Sequence, residues 1–493
     1  MTVGRTPEVS ALSDSPKRRP PEPLAASAVG AAAFIAYLIT LAPTVATNDA
    51  GRFQIAAPLL GTGHPTGYPT FILAGKLFTF LPFGDLAYRM NLMAAVFGGV
   101  AVALVYLVAR EVGAGKAPAA GAALLFAFSA TFWGEATFAE VYSMHASFIL
   151  GVLYLLLRWR ERGGTVHLVL AGLLFGLSLG NNAGMVLLAP AFLILIVAGR
   201  WRSLSLRKIP PAGIASLVGV SVYAYVPIRG FAGAWHNYGD PVNDWSDAWR
   251  LVSGARFQGL MGASPSELLF SAGHFLYELA SQTVAPFGYV LAFAMLAGGI
   301  YGASNLISRS RAVGAALVVA FFSTLVYALA YDISDIAVYY IPVYAILFIL
   351  LAVAATRLSN VFRSPWIPAA PAIAAALVLG LNFAPSDRSD YFDERENSEA
   401  TLAALPEDAV LYGKTPIIPA TYLTEVEGER GDVTLRWLDG GTLGRSFESD
   451  VGSGRPVFFI SDEQYNDEYL PFAEEYAEAE EVGDLIRLDP RPE

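Results

Sequence analysis

The chain has 493 residues, 55% of them hydrophobic and only 15% charged, with a mean hydropathy of +0.48. Soluble chains carry about a quarter charged residues, so an ordinary cytosolic enzyme is excluded; the absence of cysteine excludes a disulfide framework, thiolate metal ligands and a cysteine nucleophile. The net charge of -11 joins two unlike parts, because the segment from Ser386 onward holds 27 acidic and 9 basic residues while the segment before it is basic. A basic apolar body with an acidic tail indicates a chain that occupies two solvents.

A polar, proline-rich leader, residues 1–24, opens the chain. About eleven apolar stretches follow, read as bilayer-crossing helices in which every backbone amide is satisfied within its own segment. They centre on 25–43, 86–108, 117–138, 143–157, 167–179, 185–198, 214–227, 284–307, 315–330, 337–355 and 367–383. The fifth and sixth are short and share the break Gly180-Asn181-Asn182-Ala183-Gly184. The first is longer than the apolar core of a cleaved signal and reads as a retained span.

Orientation follows from the cations. With Lys17-Arg18-Arg19 in the cytoplasm, 17 of the 23 Lys and Arg residues before Ser386 fall in cytoplasmic connections. Only Arg52, Lys76, Arg89, Arg229, Arg250 and Arg256 fall outside, where most of the body's acids also lie. The expected fold class is therefore an α-helical polytopic membrane protein of about 11 transmembrane helices, with a small C-terminal soluble α/β domain. The body covers 25–384 with long external loops at 44–85 and 229–283, and the extracytoplasmic acidic domain covers 385–493. Amphipathic pieces at 71–80 and 266–282 predict helices in the interface. In the tail, apolar runs at 409–414, 433–438 and 456–461 predict strands, and the spacing at 396–405 and 463–479 predicts helices.

Chemistry concentrates in four places. In Thr47-Asn48-Asp49-Ala50-Gly51-Arg52 a carboxylate at the mouth of a membrane cavity can act as general base or ligate a divalent metal, although Asn-Asp-Ala-Gly is also plain turn chemistry. His64-Pro65-Thr66-Gly67-Tyr68-Pro69 is a rigid turn that either presents an imidazole and a phenol or simply starts a helix. Glu135 and Glu140 flank a tight hairpin, and an ionisable group at such depth is expensive to keep; Glu140 reads as functional and His145 as structural, the alternative being acids that reach water or cap the next span. Arg229, Arg256 and the turn Asn237-Tyr238-Gly239-Asp240-Pro241 place guanidinium groups on the face that the cation rule disfavours. Such forks fit phosphate, or they pair with Asp240, Asp244 or lipid head groups. There is no phosphate-binding glycine loop, no zinc-protease helix motif and no nucleophile elbow, and basic clusters ranged along one membrane face do not form a nucleic-acid surface.

The order of these motifs is more specific than any one of them. The Asp49 loop is followed by His-Pro-x-Gly-Tyr-Pro, then Gly75-Lys76, Leu81-Pro82-Phe83-Gly84, Arg89-x-Asn91, Ala139-Glu140-Val141-Tyr142, Pro227-Ile228-Arg229 and Gly239-Asp240-Pro241. This order resembles a branch of the GT-C glycosyltransferases, the protein O-mannosyltransferase family typified by a vertebrate transmembrane enzyme acting on receptor ectodomains. The resemblance covers most of 25–384. It implies an inverting transfer of a sugar, mannose in the typical member, from a polyprenyl-phosphate carrier to a hydroxyl, with protein Ser/Thr as the acceptor, on the extracytoplasmic side of a bacterial-type inner or plasma membrane. It makes Asp49 the catalytic carboxylate, with His64 and Glu140 beside it. Arg52, Lys76, Arg89, Arg229 and Arg256 become the groups that meet the donor phosphate, and Tyr68, Tyr142 and Asp240 those that meet sugar or acceptor.

One departure stands out. Family members commonly read Asp-Ser-Gly-Glu, whereas this chain reads Asp49-Ala50-Gly51-Arg52, with a cation in place of an acid. That weakens a divalent-metal site at this loop, favours contact of Arg52 with phosphate, and leaves open an altered donor, an altered acceptor or lost activity. The implied partners are the bilayer, the polyprenyl-phosphate sugar as donor substrate and a protein or glycan acceptor, with no nucleic acid; no further cofactor is assigned. Transfer to a lipid or polysaccharide, a secondary transporter whose acids relay protons, and a non-catalytic scaffold are the competing readings.

Overall fold

The computed structural model describes residues 22–200, 209–236, 241–282, 288–438, 440–461 and 470–490. Every apolar stretch of the sequence falls on a helix, as it must where hydrocarbon offers the backbone no partner. Among the described residues six helices are long and apolar enough to cross a membrane: Leu86–Glu111, Val141–Arg162, Pro210–Gly230, Gly288–Arg309, Arg311–Leu329 and Ile336–Phe362. A seventh span is counted if Lys116–Ala127 and Ala130–Thr137, which meet at 64°, act together. The remaining stretches form the shorter helices Pro23–Ile39, Thr165–Leu179, Ala183–Ala198 and Ala370–Ser386. The expected eleven thus resolve into six or seven full-length spans plus shorter apolar helices, in an integral membrane protein.

Close helix approach depends on small residues, since lipid supplies no hydrophobic drive between helices. The helices Thr165–Leu179 and Ile209–Val220 pack so tightly that a Cβ on Gly176 would lie 2.1 Å from the Ser216 carbonyl oxygen. The span Ile336–Phe362, one of the two most buried, carries Tyr340 and Tyr344 into the core beside Phe275.

Both long connections are structured. The first contains helices Asn48–Leu59 and Pro69–Phe78, and the second contains Trp245–Val252 and Pro265–Ser281. The last of these starts with a capping box in which Ser264 and Glu267 satisfy each other's backbone amides. The two amphipathic pieces expected in the connections are accordingly helical.

The tail begins with the helix Asp393–Ala404 and builds a sheet from β1 (Val410–Gly413), β2 (Thr434–Trp437), β3 (Val457–Ile460), β4 (Ala477–Val482) and β5 (Leu485–Pro490), in the order β2-β1-β3-β5-β4. β1 runs parallel to β2 and β3, and β5 is antiparallel to β3 and β4. The helix expected over 463–479 is corrected at its end: residues 462–469 lie outside the described part, and 477–482 are strand. There Ala477 and Ala479 alternate with glutamates, and pairing with β5 across Gly483 selects the strand period over the helical one.

The tail shares a core with the first connection. Val45, Ile55 and Ala87 join Leu402, Leu411, Ile418 and Tyr422 in one buried cluster. The Tyr422 hydroxyl accepts a hydrogen bond from the Ala87 amide at 3.0 Å. Arg395 reaches Glu427 and Glu399, each at 2.6 Å, and Asp85 at 3.5 Å.

Candidate active site

Asp49 sits in the first turn of Asn48–Leu59, where the free amides of a helix start favour a negative side chain. Two features hold that turn. A Cβ on Gly51 would lie 2.0 Å from the Ala46 carbonyl oxygen and 2.6 Å from Ile418, so only glycine permits the helix to lie this close to its own entry and to the tail. Gln54 accepts from the Ala46 amide at 2.9 Å and donates to Asn91 at 2.8 Å, while Asn91 donates to the carbonyls of Ala42 and Thr44. This buried amide pair ties residues 42–46 to the span Leu86–Glu111, which gives the Arg89-x-Asn91 motif a structural role at its asparagine.

The Asp49 carboxylate faces a cavity of about 670 Å³ lined by residues from the first connection, Glu135, the Glu140-Val141-Tyr142 turn, 182–184, 253–261 and 327–339. Its Oδ1 accepts from Arg52 Nη1 at 2.7 Å, and its Oδ2 lies 3.8 Å from His64 Nε2. The His64 ring stacks on Phe257 at 5.2 Å, and its Nδ1 lies 2.7 Å from the Pro65 carbonyl. Glu140 precedes the helix Val141–Arg162 and accepts from the Ala50 amide, so its carboxylate supports the turn that carries Asp49. Burial first, and then the charges of Glu135, Asp49 and Asp335, push the Glu140 carboxyl well above the usual range. Among the described residues no group of three or more His, Asp or Glu side chains is arranged to hold a metal ion.

Five of the expected site residues therefore meet in one cavity: Asp49, His64, Tyr68, Glu140 and Tyr142. The expected phosphate-binding cations do not line it. Arg52 lies behind Asp49, with its guanidinium over the Trp437 ring. Lys76 donates to the Pro58 carbonyl at 2.6 Å. Arg89 donates to the carbonyls of Thr79, Phe83 and Gly84, and Arg229 to those of Leu59 and Leu60. These three cations close the ends of short helices and turns, where a guanidinium or ammonium compensates exposed carbonyl oxygens. Arg256 is exposed and precedes Phe257 and Gln258 of the cavity wall. Asp240 lies outside the described residues.

The cavity also contains groups that the motifs did not single out as site residues. Asp335 and Tyr331 enter from the connection between the spans Arg311–Leu329 and Ile336–Phe362, with Tyr327 and Tyr339 from the adjoining ends of those spans. Tyr339 stands 5.3 Å from Tyr331 and 5.9 Å from Tyr142, both edge to face. Glu135, only weakly indicated by its hairpin, joins the lining with a buried Oε2 that has no hydrogen-bond partner among the described residues. The available signal was compositional, an acidic pair, Asp332 and Asp335, set among tyrosines between two apolar stretches.

The chain aligns over 94% of its length, and over 97% of the other, with the crystal structure of ArnT from Cupriavidus metallidurans bound to undecaprenyl phosphate, at a TM-score of 0.62 and 14% identity. It also aligns over 92% of its length, and 73% of the other, with the oligosaccharyltransferase of Archaeoglobus fulgidus, at 0.53 and 13%. The chain thus shares the fold of these two structures. At the level of sequence, residues 49–205 match the family described as the N-terminal domain of protein O-mannosyl-transferase TMEM260. The chain is 30% identical over 211 residues to protein O-mannosyl-transferase TMEM260 of Mus musculus, covering 41% of this chain and 30% of the mouse protein. With the Dictyostelium discoideum protein of the same name it shares 27% over 207 residues, covering 38% and 25%. The alignments thus span less than a third of the curated relatives, and the stretch that the family model matches begins at Asp49 and includes His64, Tyr68, Glu140 and Tyr142.

Proposed function

We propose that this chain is an inverting membrane glycosyltransferase that moves a sugar, mannose by its family resemblance, from a polyprenyl-phosphate carrier to a Ser or Thr hydroxyl on the extracytoplasmic face. The observation that carries the reading is the Asp49 carboxylate, fixed by Arg52 on one oxygen, close to His64 on the other, and open to the cavity at the helix ends. The cation distribution along the sequence supports the orientation.

In this mechanism the acceptor oxygen attacks the anomeric carbon from the side opposite the phosphate. The new C–O bond forms as the hydroxyl proton passes to Asp49 and as the bond from C1 to the phosphate oxygen breaks, with the carrier phosphate leaving with the electron pair. A carboxylate is too weak a base to form a free alkoxide, so proton transfer accompanies bond formation. His64, stacked on Phe257, holds its Nε2 beside Asp49, and Arg256, next to the wall residues Phe257 and Gln258, is the cation of the expected set that this reading assigns to the phosphate. Tyr142, Tyr339 and Asp335 face the sugar, whose hydroxyls and apolar ring edge suit phenols and a carboxylate.

The test uses the full chain in lipid nanodiscs with radiolabelled undecaprenyl-phosphate mannose and a Ser/Thr-rich peptide. Transfer with inverted anomeric configuration, reduced by about 10²–10⁴-fold in Asp49→Asn, supports the reading. Undiminished turnover in Asp49→Asn, or substrate flux across liposomes without transfer, overturns it.

A further inference from the structure

The Arg52 guanidinium is held between the base and the tail. Its Nη1 donates to Asp49 at 2.7 Å, and its side chain is only 12% exposed. Its Cζ lies 4.9 Å from the centre of the Trp437 ring, and Trp437 is the last residue of β2. Beside this contact the tail's Ile418 touches the backbone at Gly51, and Trp437 itself packs against the cluster that joins the tail to the first connection. The tail therefore meets the helix of Asp49 at consecutive residues, one by close packing and one through an aromatic face.

We propose that Trp437 is a positioning residue for sugar transfer, holding Arg52 from the tail so that Arg52 holds the Asp49 carboxylate toward the cavity. The inference rests on Asp49 being the base. Asp49 is 37% exposed, so packing alone does not select its rotamer. With Oδ1 anchored by Arg52, Oδ2 stays near His64 and the acceptor path. A guanidinium suits this post because it bonds a carboxylate edge-on while presenting its flat face to a ring, and a contact of this kind gains strength when desolvated. The cation at a position commonly acidic in the resembling family thus has a partner in the tail, and the tail becomes part of the catalytic apparatus.

The experiment is a double-mutant cycle on the full chain in nanodiscs, with the same undecaprenyl-phosphate mannose and peptide. Trp437→Leu should lower kcat about tenfold or more with KM for both substrates nearly unchanged, and Trp437→Tyr should recover most of the loss. In an Arg52→Ala background, Trp437→Leu should have no further effect, because the link is already cut. An equal loss in both backgrounds marks Trp437 as merely structural and overturns the inference, as does wild-type kcat in Trp437→Leu. Should the leucine variant fail to fold, Trp437→Met, which also lacks an aromatic face, completes the same cycle. Active Asp49→Asn removes the base reading and this inference together, whereas inactive Asp49→Asn with additive Arg52 and Trp437 effects removes this inference alone.

Discussion

Glu140 connects the cavity's electrostatics to stability. Burial and the neighbouring acids raise its carboxyl in the folded protein, so the native state keeps a proton that the unfolded chain releases in the ordinary carboxylate range. Its contribution is fully present below the unfolded pKa and declines as pH rises through the native value. Glu140→Gln keeps the size and removes the titration. Its thermal midpoint should therefore fall less than that of the wild type as pH rises above the ordinary carboxylate range, as read by scanning fluorimetry in detergent; parallel pH curves would remove Glu140 from this role. The residue scale also shows where sequence reading stops. Asp49, His64 and Glu140 were legible because each sits in a short rigid turn at the end of an apolar stretch. Lys76, Arg89 and Arg229 were misleading because a cation that caps carbonyls and one that binds phosphate look alike in one dimension.

At the scale of the element, the helix Asn48–Leu59 is positioned by what lies on both sides of it. Gly51 lets it approach Ala46 and the tail, and the Gln54–Asn91 pair secures its entry. Gly51→Ala introduces a Cβ into occupied space and should destabilise the protein by about 1–3 kcal/mol, with kcat falling alongside. Asn91→Leu leaves the Gln54 amide and the carbonyls of Ala42 and Thr44 without their partner, at a cost of about 1–3 kcal/mol for each buried group left unsatisfied. Both are measured by chemical or thermal unfolding of the purified variants, and a midpoint equal to the wild type in either would show that the helix is held otherwise. The existence of this helix was not predicted, because Asn-Asp-Ala-Gly reads equally as a turn. The neighbouring helix Pro69–Phe78 was visible through its apolar run.

For the molecule as a whole, the seating of the tail is the open mechanical question, and Arg395 is its charged fastening. It is 20% exposed and bridges Glu399 and Glu427 of the tail to Asp85 at the start of the span Leu86–Glu111. Arg395→Ala leaves those carboxylates together without their cation and should loosen the tail by about 2–3 kcal/mol. Faster amide exchange over 396–404 and 417–427 would register the loosening, with the spans unaffected; unchanged exchange would show that the apolar cluster alone holds the tail. The sequence by itself determined that the chain is a helical membrane protein with an acidic tail containing strands, because hydropathy, cation bias and alternation are local properties that a bilayer and a sheet enforce on any chain. Only the tertiary structure decided which acids share a cavity, that Asp335 and three tyrosines join them from two distant spans and the connection between these, and that the tail rests on the helix of Asp49. Those outcomes depend on which surfaces pack together, and packing is set by complementary shape between segments hundreds of residues apart, for which no local pattern in the chain is a record.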